Sequence, residues 1–125
     1  MDITPQIPSG RQVVQAYGNG SFRVSGQAYR GSVLIFPDRT LTWPVTAMAE
    51  VGEASLEPVR AAGGEVELLL LGCGGAMAPI PASLRAWLKS AGIVVEVMDT
   101  GAACRTYNVL LAEARRVAAA LIAVG

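Results

Sequence analysis

The sequence predicts an α/β domain with a strand-rich first half and a strand–helix–strand second half. Three observations predict it. Short alternating or apolar runs, punctuated by Gly18, Gly20, Gly26 and Gly31, fill the segment up to Trp43. Two nearly continuous apolar runs, Val66–Leu71 and Ile93–Met98, flank a segment of helical period. An alanine-rich apolar stretch, Val117–Val124, follows near the end. The first pattern suits antiparallel hairpins. The second suits a parallel pair joined by a right-handed crossover.

The elements follow in order. Residues 1–11 hold Pro5, Pro8 and Gly10 without periodicity and read as an extended lead-in. Residues 12–125 are expected to form one domain, since 125 residues is close to the commonest domain size. Ser21–Ser25 alternates polar and apolar, as a half-solvated strand does. Ser32–Phe36 is a more buried run, Pro37-Asp38-Arg39 a turn, and Thr40–Trp43 alternates again with Leu41 and Trp43 on one face. Ser55 is placed to cap a short helix to about Ala62, with Pro58 in its first turn and Gly63-Gly64 ending it. Val66–Leu71 reads as a strand covered on both faces. Pro81–Ala91 reads as a helix with Leu84, Trp87, Leu88 and Ala91 on its inner stripe, Arg85 and Lys89 facing out, and Gly92 stopping it. Ile93–Met98 is the second buried strand. Pattern alone leaves the remainder open. Ala102–Ile122 could be one long helix, because alanine favours it, or Val117–Val124 could be a last buried strand.

Composition excludes several function classes. Hydrophobic residues are 52% and charged residues 16%, which places the chain on the globular side of the disorder boundary. Ten basic and ten acidic residues cancel, and the densest basic site is only Arg115-Arg116. Nucleic-acid binding through a phosphate-neutralising face is therefore not expected. There is no histidine. Ser-His-Asp and Cys-His nucleophilic sites cannot be built, and two cysteines cannot make a four-thiolate metal site. No metal and no cofactor are expected. Cys73 and Cys104 form no CxxC and suggest a reducing compartment. The first residues lack a signal or transit pattern, and Val117–Val124 is too short to span a bilayer, so the expectation is a cytoplasmic protein that is not integral to a membrane.

Candidate functional residues gather at one predicted edge. If the two central strands are parallel, Gly72–Gly75 and Asp99–Gly101 emerge together, where open α/β sheets commonly bind ligands. A helix starting near Ala102 would aim free N–H groups at that crevice, and Arg105 adds a guanidinium. That combination suits an anion. The competing reading is that Asp99 or Thr100 caps the helix and Arg105 pairs with a carboxylate. Gly72-Cys73-Gly74-Gly75-Ala76-Met77 is not a dinucleotide fingerprint, because Met77 stands at the third glycine position and Ala78-Pro79-Ile80-Pro81 follows. Cys104, near a helix start and an arginine, is either an activated thiol or a packed one. A Cys73–Cys104 redox pair is a further option at such an edge. Glu113, Arg115 and Arg116 read as a solvated or ion-paired face.

These residues carry a resemblance. Tyr17-Gly18-Asn19-Gly20-Ser21-Phe22, Gly31-Ser32-Val33-Leu34, Trp43, Glu67–Gly74, Gly92-Ile93, Met98-Asp99-Thr100 and Cys104-Arg105-Thr106-Tyr107-Asn108 resemble the Mth938-like family, also called domain of unknown function 498. That family includes a mitochondrial respiratory complex I assembly factor and an adipogenesis-associated vertebrate protein. The resemblance spans nearly the whole chain, and the last block is its most specific part. It implies a three-layer α/β fold, with a mixed central sheet, flanking helices and a smaller antiparallel sheet from the N-terminal half. It makes the C-terminal apolar run a strand. Many relatives carry glycine where this chain has Ala114.

Two functions follow. The first is a non-catalytic interaction or assembly protein, for which the resemblance implies partners among respiratory-complex or membrane-insertion components. The alternative is a small-molecule or anion-binding protein, enzymatic activity left open, using a crevice of Gly72, Cys73, Gly74, Asp99, Thr100, Cys104, Arg105, Tyr107 and Asn108. A deep pocket on which Asp99, Cys104 and Arg105 converge would favour the alternative. A filled edge would favour the first.

Overall fold

A computed structural model describes residues 10–125. Most of the expected lead-in, residues 1–9, lies outside the described residues. Three short strands come first: β1 (Val14–Gly18), β2 (Ser21–Val24) and β3 (Gln27–Arg30). They pair antiparallel in that order. Two-residue turns join them. Asn19-Gly20 has φ 53° and 71°, and Ser25-Gly26 has φ 46° and 85°. Positive φ at both turn positions suits the right-handed twist of a tight hairpin, which explains the glycines. β1 and β3 carry little apolar alternation of their own and were not legible as strands.

A five-stranded mixed sheet forms the centre. β4 (Ser32–Phe36) and β5 (Arg39–Trp43) make a hairpin. A 3₁₀ turn at Met48–Glu50 and a short helix α1 (Glu57–Ala61) follow. Then come β6 (Leu68–Gly72), helix α2 (Ala82–Lys89), β7 (Val94–Met98), helix α3 (Thr100–Ala112) and β8 (Val117–Leu121). The strand order is β5-β4-β8-β6-β7. β6 runs parallel to both β7 and β8, whereas β4 meets β8 antiparallel. The three apolar runs read from sequence are thus neighbours.

The two-residue period of these strands divides the core. Leu34, Phe36, Leu69, Leu71, Ala118 and Ala120 face one way, against Val59, Leu84 and Leu88 of α1 and α2. Val33, Ile35, Leu70, Val117, Ala119 and Leu121 face the other way. There they meet Cys104, Tyr107 and Leu111 of α3 and Phe22 and Val24 of the small sheet. Helices, central sheet, and helix plus small sheet make three layers.

Two sequence expectations need correction. Ser55 does not cap α1. Its hydroxyl turns back to the N–H and carbonyl of Gly52 at 3.0 and 3.2 Å, and Leu56 takes the cap position without a side-chain bond. α3 starts at Thr100 rather than near Ala102, because the Asp99 carboxylate accepts the Ala102 N–H at 2.9 Å. The open question of the C-terminus is closed by the end of α3. Arg115 N–H bonds to the Leu110 carbonyl and Ala114 N–H to the Leu111 carbonyl, both at 3.0 Å. This is the Schellman pattern, with Ala114 in the left-handed region at φ 61°. β8 then takes up the alanines. Pairing on both sides by β4 and β6 outweighs their helical preference.

Ala114 stands where glycine is free of the Cβ penalty. Ala114→Gly is expected to stabilise the protein by about 0.5–1 kcal/mol, the relief of the left-handed strain exceeding the entropy added to the unfolded chain. A urea titration checks this. A lower midpoint in the variant would show that Ala114 is not strained.

Candidate functional site

The sheet edge where β6 and β8 end is held by one hydroxyl. Thr100 is fully buried. Its Oγ1 donates to the Ile122 carbonyl at 2.7 Å and accepts the Gly74 N–H at 3.0 Å. Its own N–H donates to the Gly74 carbonyl at 2.9 Å. The ladder continues around it, with Ile122 N–H to Gly72 O and Cys73 N–H to Met98 O, both 2.9 Å. A Cβ on Gly72 would lie 3.0 Å from the Thr100 Cα and from Leu121 Cδ2. Glycine is therefore needed there for the close approach of β6 to α3, and Gly74 adopts φ 99° to complete the turn.

The other predicted residues sit apart from this knot. Cys73 is buried and donates Sγ to the Ala76 carbonyl at 3.1 Å. Cys104 is fully buried in the core layer beneath the small sheet. The two thiols thus have separate surroundings, and both are free cysteines. Burial pushes the Cys104 thiol up to about 12; the neighbouring Arg105 charge pulls the other way but is outweighed, and Asp99 adds to the rise. Tyr107 is fully buried and donates its hydroxyl to the carbonyls of Gln12 at 2.8 Å and Phe36 at 3.3 Å. Burial raises its pKa as well. Asn108 clasps the backbone of Val14, donating Nδ2 to its carbonyl at 2.7 Å and accepting its N–H at 3.0 Å.

Arg105 is exposed and reaches the small sheet, where Nη1 donates to the Tyr17 hydroxyl at 2.9 Å. The same phenol covers the first turn of α3. A Cβ on Gly101 would lie 2.6 Å from the Tyr17 oxygen. Tyr17 therefore rests against the helix start that pattern reading pointed at an anion. Its glycine-rich surroundings were visible in the sequence, but its distance of 88 residues from Arg105 hid the pairing. Asp99, Cys104 and Arg105 do not converge on a deep pocket. The opening near this edge is a shallow groove between Cys73–Ala78, Thr46–Met48 and Ile122–Gly125.

The two arginines that follow α3 have partners, while Glu113 at its C-cap is exposed. Arg115 and Arg116 meet Glu67 at 3.3 and 3.1 Å and hold its carboxyl below the usual range. Among the described residues no three His, Cys, Asp or Glu side chains group to hold a metal, and no helix is long and apolar enough to cross a membrane.

Comparisons with known proteins agree with the fold. Residues 14–122 match the model of a family described as protein of unknown function (DUF498/DUF598). An uncharacterized protein of Rhodobacter capsulatus is 40% identical over 122 residues, covering 96% of this chain and 93% of that protein. NADH dehydrogenase [ubiquinone] 1 alpha subcomplex assembly factor 3 of Danio rerio is 34% identical over 122 residues, covering 98% of this chain and 70% of that one. The human protein of that name is 28% identical, and this chain covers 59% of its length. Among solved structures, a protein described as an outer membrane protein of Bartonella henselae superposes with a TM-score of 0.87 at 39% identity, covering 93% of this chain and 98% of that chain. A Bordetella pertussis Mth938-like domain gives 0.83 at 27% identity, covering 98% and 92%.

The buried thiol sets a pH dependence. A thiol that ionises near 8.5 when unfolded and near 12 when folded keeps its proton longer in the folded state. The unfolded state then binds fewer protons between those values, so stability falls with rising pH by up to about 1.4 kcal/mol per unit. Urea midpoints of the wild type and Cys104→Ala at about pH 8 and pH 10 test this. The wild type should lose stability relative to Cys104→Ala at the higher pH. Parallel losses would mean that Cys104 is accessible and ionises normally.

Proposed function

The chain belongs to the DUF498/DUF598 family, and on that premise we propose that it is a non-catalytic interaction protein that serves the assembly of a larger complex. The observation that carries this reading is the 34% identity, over 98% of this chain, to a protein named as a complex I assembly factor. The geometry supports it in one respect. The polar groups that suggested a ligand crevice spend their hydrogen bonds on the protein itself. We assign Gly72, Cys73, Gly74, Asp99, Thr100, Cys104, Arg105, Tyr107 and Asn108 to holding the fold. Gly72, Gly74 and Thr100 join strand ends, Asp99 starts α3, and Tyr107, Asn108 and Arg105 fasten the small sheet.

The finer reading names respiratory-complex components as partners. It places the protein in the cytoplasm, where Cys73 and Cys104 remain thiols. An outer surface on a rigid body suits such a role, since partners then bind with little ordering cost.

The relative in Rhodobacter capsulatus offers the test. Deleting its gene should lower the amount of assembled NADH dehydrogenase on native gels, and expressing this chain should restore it. Unchanged complex levels after the deletion would contradict the assembly reading.

A further inference from the structure

The outer face of the small sheet is charged in a way the internal bonding does not account for. Register places Ala16, Arg23 and Ala28 in one row and Gly18, Ser21 and Arg30 in the next. Phe22 and Val24 alternate to the inner side, where they are buried. The outer side therefore presents two exposed guanidiniums over a floor of alanine, glycine and serine. Between Asp2 and Asp38 the sequence contains no acidic residue. The ion pairs among the described residues all lie elsewhere, joining Arg39, Arg115 and Arg116 to Asp38, Glu65 and Glu67. Arg23 and Arg30 take part in none of them.

Arg23 and Arg30 are diagonal neighbours across β2 and β3, on the same face, so two like charges share one exposed patch. A carboxylate from outside would find both within one patch. Beside Arg23 lies an open hollow of about 220 Å³ whose walls include Ala16, Gly18, Ser21 and Ala28, bounded also by Tyr17 and Phe22, which register places on the inner rows. Small side chains there leave room for an incoming side chain, and a guanidinium takes a carboxylate through two parallel hydrogen bonds.

We propose that this face docks an acidic polypeptide segment, its Asp and Glu carboxylates received by Arg23 and Arg30. The proposal rests on the assembly reading and names the chemistry of the partner. Two features set the occupant apart from other polyanions. No aromatic ring stands on the outer rows for a base to stack on, as single-stranded nucleic acid requires. No large apolar side chain stands there to enter a lipid surface.

The probe is a hexaglutamate peptide, with hexaglutamine as control, added to the isotope-labelled full chain and followed by amide chemical shifts at low salt. Shifts should concentrate at Ala16, Ser21, Arg23, Ala28 and Arg30. They should weaken about tenfold or more in an Arg23→Gln, Arg30→Gln double variant whose thermal midpoint is unchanged, a loss of one Arg–carboxylate pair or more. They should vanish at about 0.5 M salt. Shifts centred on Arg39, Arg115 and Arg116, no shifts, or equal response to an oligothymidylate or to phosphatidylglycerol vesicles would overturn the proposal. The two readings fail separately. If the double variant restores NADH dehydrogenase in the deletion strain as well as the wild type does, this face is not the dock and the assembly role stands. If the deletion leaves the complex intact while the peptide binds as described, the face stands without that role.

Discussion

The Thr100 hydroxyl is the constraint on which the rest of the structure depends. It sits at the first turn of α3 with no contact to water and joins two strand ends that are 48 residues apart in sequence: Gly74, just past β6, and Ile122, just past β8. Its proton goes to one strand end and a lone pair to the other, because the backbone groups there have outrun their ladder partners. A buried N–H or carbonyl without a partner costs about 1–3 kcal/mol. The hydroxyl meets one of each. Gly72 follows from it, since a Cβ at that position would lie only 3.0 Å from the Thr100 Cα.

The same economy attaches the small sheet. It could not stand alone, because three strands of four or five residues bury too little apolar surface by themselves. Phe22 and Val24 pack down on α3 and the central sheet. Asn108 grips Val14, Tyr107 reaches Gln12, Tyr17 lies on Gly101, and the Gly20 N–H meets the Val124 carbonyl at 2.7 Å. α3 is thus the joint between the two sheets. That explains why the block from Asp99 to Asn108 concentrates polar residues without building a cavity.

Much of this was legible in the sequence, and what was not has identifiable causes. β6 and β8 declare themselves as apolar runs because neighbours bury them on both sides, whereas β7, read as a second buried strand, is the edge of the sheet and leaves Val94 and Glu96 exposed. α2 declares itself through the spacing of Leu84 and Leu88. β1 and β3 are strands by virtue of their turns and their pairing with Phe22 and Val24, and their own residues carry little signal. In the candidate site, residue types marked the right place. They could not say whether the partners of Thr100, Tyr107 and Asn108 were a ligand or the backbone of residues 12–14 and 122, because those contacts span up to 95 positions. Ser55 misled for a related reason: a hydroxyl beside a helix start can bond backward into a turn as readily as forward into a cap.

The polar groups at the start of α3 bond within the fold. The claim beneath this is that Thr100 serves the structure, and it can be measured at that one atom. Unfolding free energies of Thr100→Val and Thr100→Ser decide it. Valine keeps the shape and orphans the Gly74 N–H and the Ile122 carbonyl, so a loss of roughly 2–4 kcal/mol is expected, with serine recovering most of it. A Thr100→Val protein as stable as the wild type would contradict the account, because the strand ends would then be held by something other than this hydroxyl.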